Sequence, residues 1–134
     1  MANVRPLADL PVGLYRGRVS GLESGECEAR IEVARIPGGC LAVRYEAVGV
    51  DGVQHVEHTL VDADALYVAH SEGSGVQIFR KTGDGIFDGP SGGPFDLRLI
   101  IDWDGDVLTW AWHWAPAGEE LREQSRASAR PADE

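Results

Sequence analysis

The sequence predicts an all-β protein, a single closed antiparallel up-and-down barrel of about ten strands with little or no helix. Turn signals recur roughly every 10 residues: "LESGE", "IPGGC", "VDGV", "VDAD", "EGSG", "TGDG", "GPSGGP" and "DWDGD". Between them lie short runs rich in Val, Ile, Tyr, Phe and Trp, the pattern of strands joined by hairpins. The 17 glycines supply the positive φ that such turns demand.

Strands are expected at 13–22, 26–35, 41–50, 53–61, 65–71, 76–82, 85–88, 95–103, 106–115 and 118–128. The first hairpin turns through "ESG" with Gly25 left-handed, which points Tyr15, Gly17, Val19 and Gly21 inward and Arg16, Arg18 and Ser20 outward. A loop at "IPGGC" then pairs Val33 with Val43, Ile31 with Tyr45, Ala29 with Ala47 and Cys27 with Gly49. Asp51-Gly52 is a type I′ turn signal that pairs Val50 with Val53, Tyr45 with His58 and Val43 with Leu60. Val56, His58 and Leu60 then face the interior, and His55, Glu57 and Thr59 face solvent, with Glu46 opposite Glu57. A slip of one residue would exchange the two faces.

On the fifth strand Leu66, Val68 and His70 form the more aliphatic face, and pointing them inward brings His70 toward His58. Asp104-Gly105 is a second two-residue turn signal; it pairs Ile101 with Leu108, Leu99 with Trp110, Leu97 with Trp112 and Phe95 with Trp114. The tryptophans of "VLTWAWHWAP" therefore face inward, and His113 faces solvent opposite Asp96. "GEELREQSRASA" has a helix-forming composition, yet as a helix it offers the core only Leu121 and a few alanines. A strand that closes the barrel is the better reading, and it points either Arg122 and Gln124 or Glu123 and Ser125 inside. Residues 1–134 form one domain, with 1–12 as a lead-in and 129–134 as a tail expected to fray.

A net charge of -10 argues against nucleic acid and anionic membranes as partners. No run approaches the roughly 18 apolar residues of a membrane helix, and "MANVRPLADLPVGLY" lacks a secretory pattern, so a cytoplasmic protein is expected. Cys27 and Cys40 fall near opposite ends of paired strands, so they are expected to be reduced and to serve as small apolar residues.

The candidate ligand-binding residues are Tyr45, His58, His70, Trp110, Trp112, Arg122 and Gln124. A Tyr–His–His cluster in an apolar interior can orient a polar ligand group or exchange a proton; its plain alternative is a core histidine hydrogen-bonded to tyrosine or backbone. Trp110 and Trp112 either fill the barrel or offer a flat aromatic wall. Arg122 or Gln124 can hold an acidic ligand end, although pairing with one of the chain's 22 acidic residues is the commoner use of such an arginine. "GDGIFDGPSGG" is followed by no helix to receive a phosphate, and "DWDGD" lacks the other positions of a calcium loop. No metal site and no catalytic motif of the GxSxG or HExxH kind is read.

Three stretches, "VGLYRGRVSG", "IPGGCLAVRYEAVGVDG" and "DWDGDVLTWAWHWAPAGEELREQSRA", resemble the barrels of the calycin group, especially its nitrobindin-like and fatty-acid-binding-protein-like branch. The resemblance implies a lipocalin-like closed barrel whose interior holds a small apolar molecule. It departs from the group in three places. "GEELREQSRASARPADE" has no histidine to match the haem ligand of nitrobindin-like proteins. "GLESGEC" is too short for the helical lid of fatty-acid-binding proteins, and Arg122 is followed two residues on by Gln124, where their carboxylate anchor has tyrosine.

The expectation is therefore a monomeric or homodimeric binding protein for a small hydrophobic or aromatic molecule, without a cofactor and without enzymatic activity. The alternatives are a barrel cyclase or isomerase that uses Tyr45 or His58 for proton transfer, a haem protein with an altered ligand, and an interface role if Trp112 or Trp114 is exposed.

Overall fold

The chain alternates between extended runs and tight turns, and a computed structural model describes residues 7–21, 25–62, 64–71 and 75–132. A short 3-10 turn at Leu7–Asp9 precedes β1 (Gly13–Ser20), β2 (Cys27–Arg35), β3 (Leu41–Gly49), β4 (Gly52–Asp62) and β5 (Ala65–His70). β6 (Gln77–Gly83), β7 (Ile86–Asp88), β8 (Phe95–Trp103), β9 (Leu108–Pro116) and β10 (Arg122–Pro131) complete it. Each strand pairs antiparallel with its sequence neighbour, and β1 pairs with β10, so the sheet is a closed barrel. Closure leaves no unpaired edge.

β10 is a strand, as the weak apolar face of that segment required, and it runs on through Pro131. The seam depends on Gly17: a Cβ there would stand 1.7 Å from the backbone oxygen of Ser128. Only glycine lets β1 and β10 approach so closely.

One end of the barrel is covered. Leu10 is buried and Leu7 packs against the core. The Tyr15 hydroxyl donates to the Pro11 carbonyl at 2.6 Å, and the Tyr15 ring meets Trp103 edge-on at 5.7 Å. Burial there raises the Tyr15 phenol above its ordinary value. Up-and-down topology places the turns of β3–β4, β5–β6, β7–β8 and β9–β10 at the opposite end.

Three of the hairpins keep the expected faces. β2 and β3 show the expected pairs, Val33 with Val43, Ile31 with Tyr45 and Ala29 with Ala47. In the first hairpin Tyr15 lies opposite Ile31 and Gly17 opposite Ala29, a shift of two from the register an "ESG" loop would give. Gly25 has the expected positive φ, while residues 22–24 of that loop lie outside the described residues.

β8 and β9 are also offset by two: Ile101 faces Trp110, Leu99 faces Trp112, Leu97 faces Trp114 and Phe95 faces Pro116. The cause is a turn of four residues, in which Asp104 Oδ1 accepts the backbone N–H of Asp106 at 2.8 Å and of Val107 at 2.7 Å. An even shift conserves the faces, so the tryptophans still point inward. On the outside, Arg98 rather than Asp96 lies opposite His113.

The fourth strand is different. β3 and β4 pair Gly49 with Gly52 and Val48 with Val53, so Val50 and Asp51 make the turn. A bulge then follows, and Ala47 pairs with His55. The net displacement is odd, and every later side chain of β4 changes face. Tyr45 lies opposite Glu57 rather than His58, and Glu46 lies opposite Val56 rather than Glu57. His58 is on the outer surface and Leu60 is 43% exposed, whereas Glu57, Thr59 and Val61 are buried.

Candidate functional site

The inward face of β4 carries His55, Glu57, Thr59 and Val61 from the open end toward the covered end. Glu57 has no exposure to solvent. β9 stands five strands from β4 in both directions round the ring, so the two are diametrically opposed. Indoles from β9 nevertheless reach Glu57. Trp110 Nε1–H donates to Glu57 Oε1 at 2.8 Å, and Trp112 Nε1–H donates to Glu57 Oε2. Small residues on the neighbouring wall, Ala127 and Ala129 of β10 among them, leave room for rings of that size.

A carboxylate buried without partners is untenable in an apolar interior, and three donors offset its desolvation. The third is His55, whose Nε2 lies 2.6 Å from Glu57 Oε2. With the proton on Nε2 the carboxylate accepts, and the contact is charge-assisted.

The aromatic rings continue toward the open end. His55 packs against Tyr45 with centroids 5.6 Å apart and against His70 at 6.2 Å. His70 in turn meets Trp112 at 5.8 Å. Trp112 packs edge-on against Phe79 at 5.5 Å, and Trp110 lies 6.4 Å from Tyr45. His70 Nε2 lies 3.3 Å from the side-chain oxygen of Gln77. The His55 side chain retains 13% exposure, and Trp114 on the rim is 38% exposed. Solvent therefore reaches the histidine level, and the indole–carboxylate bonds lie below it.

One step deeper than Glu57, the Thr59 hydroxyl is buried and has no hydrogen-bond partner. The buried polar residues are Glu57, Thr59 and Ser125, so among the described residues the core contains no buried Arg or Lys. No group of three or more His, Cys, Asp or Glu among the described residues is arranged to hold a metal ion. Neither Cys27 nor Cys40 is in a disulfide.

The structure brings Tyr45, His70, Trp110 and Trp112 together on the inner face. It excludes His58, which the bulge turns to solvent; His55 occupies the inward position instead. Arg122 is exposed, opposite Trp114 at the rim. A second bulge between Glu123 and Ser125 removes Gln124 from the inner row, and its Nε2–H donates to the Trp114 carbonyl at 3.1 Å. Ser125, Ala127 and Ala129 line that wall.

Sequence reasoning missed His55, Glu57, Gln77 and Phe79. The clue lay in the β4–β5 hairpin, where Asp62 pairs with Ala65 and Val61 with Leu66. Given Leu66, Val68 and His70 inward, that turn requires Val61, Thr59 and Glu57 inward as well. The indole N–H groups give the same answer, since buried tryptophans need an acceptor.

No helix among the described residues is long and apolar enough to cross a membrane. No family model and no curated protein matches the chain. Among solved structures, the chain is similar to the crystal structure of Rv2717c from M. tuberculosis, with a TM-score of 0.64 at 18% identity over 90% of this chain and 92% of that one. At that identity the likeness shows a shared barrel fold.

Proposed function

We propose that the open end of the barrel binds a small, flat, largely apolar molecule. Its polar end meets His55 and His70, with Tyr45 beside them, and its body lies against Trp112 and the rim residue Trp114. Trp110 acts from below, holding Glu57. The observation that carries this reading is the histidine pair at the solvent-reaching end of an otherwise aromatic and aliphatic interior, with His55 held at 2.6 Å by a buried carboxylate. Binding sites combine apolar walls with a few oriented polar groups in this way. Titration with flat aromatic probes, followed by tryptophan fluorescence, tests it. Saturable quenching or a spectral shift is expected; no response across the panel overturns the reading.

The His55–Glu57 contact also favours a second reading, a barrel enzyme of the cyclase or isomerase kind. A histidine oriented by a carboxylate is the arrangement of a general base. Turnover that His55→Gln abolishes marks an enzyme, whereas in a carrier the substitution only shifts ligand affinity.

A further inference from the structure

Resting on that reading, we infer that the site selects by charge: it takes molecules whose polar end is a neutral donor or a cation and rejects carboxylates. Glu57 is wholly buried and lies directly behind His55, at 2.6 Å from its Nε2. A ligand group that bonds to the outer side of the His55 ring sits within several ångströms of that carboxylate. A carboxylate ligand would bring a second negative charge to a pair that can share one cation at most. Like charges placed this close repel, the more so because Glu57 is itself shut off from solvent.

The described core contains no buried Arg or Lys. Arg122, opposite Trp114, stands in solvent, where an ion pair is screened and weak. A net charge of -10 further disfavours the approach of anions.

The same features suit donors and cations. An imidazole with one ring nitrogen protonated can accept at the other from an O–H or N–H group. The indole faces of Trp112 and Trp114 attract positive charge, and both rings lie at or just below the rim. The lack of a buried arginine among the described residues and the presence of the buried Glu57 thus point to phenols and aromatic amines as the ligand class.

A matched series on one ring system provides the test: 2-naphthol, naphthylmethylammonium and 2-naphthoate, titrated at neutral pH with fluorescence and calorimetry. Naphthol and the ammonium compound should each bind about tenfold more tightly than naphthoate, or better. Equal or tighter binding of naphthoate overturns the charge selection while leaving the binding site standing. Failure of all three to bind overturns both. In Glu57→Gln, checked for folding by circular dichroism, the gap between naphthol and naphthoate should narrow. An unchanged gap in a folded variant removes Glu57 as its cause. If that variant does not fold, the wild-type ranking decides alone.

Discussion

Trp110 Nε1–H donates to Glu57 Oε1 over 2.8 Å, although 53 residues separate the two in the chain. Their strands face each other across the barrel, so the bond ties opposite walls. With Trp112 bonded to the same carboxylate, the interior at this level is spanned by side chains. The aromatic run that the sequence displays as a wall is in part a brace.

Replacing Glu57 by Ala should leave both indole N–H groups and His55 without their acceptor. Removal of one member of a buried ionic network costs about 3–5 kcal/mol. Urea unfolding followed by far-ultraviolet circular dichroism measures it; a loss below about 1 kcal/mol, the worth of one ordinary hydrogen bond, would contradict the brace.

Most of the fold is legible in the sequence, and the reason is parity. Turn lengths misjudged by two residues, as at Asp104–Val107, leave Trp110 and Trp112 on the same face they would otherwise occupy. The β4 bulge adds a single residue, and single residues are invisible to turn chemistry. Val56, His58 and Leu60 make an alternating pattern as acceptable as His55, Glu57 and Thr59 until long-range partners decide. Trp110 and Trp112 decide, because they need an acceptor inside. The inward polar side chains of β4 are therefore His55 and Glu57 rather than His58, while Tyr45 and His70, on strands without such a bulge, face the interior as expected.

Thr59 carries a buried hydroxyl with no partner. Thr59→Val keeps the shape and removes the uncompensated desolvation, which amounts to about 1–3 kcal/mol for a hydroxyl. The variant should be more stable, with a melting temperature raised by about 3–5 °C for each kcal/mol gained. A lowered melting temperature would show that the hydroxyl is satisfied in solution.

Gly17→Ala tests the seam. Its Cβ would overlap the Ser128 carbonyl, and the obstacle is backbone rather than a flexible side chain. Destabilisation should reach the upper end of the roughly 1–3 kcal/mol that overpacking costs, with amide exchange accelerated first in β1 and β10. Unaltered exchange there would mean the seam can open without loss.

Acid should weaken the fold in two windows. Burial, outweighing the nearby Glu123 carboxylate, holds the His113 imidazole below its ordinary 6.5. Between its lowered folded value and 6.5 the unfolded chain binds the proton and the folded one does not, so stability falls as pH drops through this range. Asp88, held below 3.8 chiefly by its hydrogen bond from Arg98 at 2.6 Å, contributes stability that is present above 3.8 and lost as pH falls toward its folded value. His113→Gln should flatten the first window and Asp88→Asn the second in pH-dependent urea melts. Identical slopes in the variants would refute the assignment.

The indole N–H resonances give the most direct view of the brace. In a ¹⁵N–¹H correlation spectrum of the labelled protein, the Nε1–H signals of Trp110 and Trp112 should resist exchange with deuterated water and should both move in Glu57→Gln. Rapid exchange of both, or shifts indifferent to the substitution at Glu57, would contradict a carboxylate held between them at the centre of the barrel.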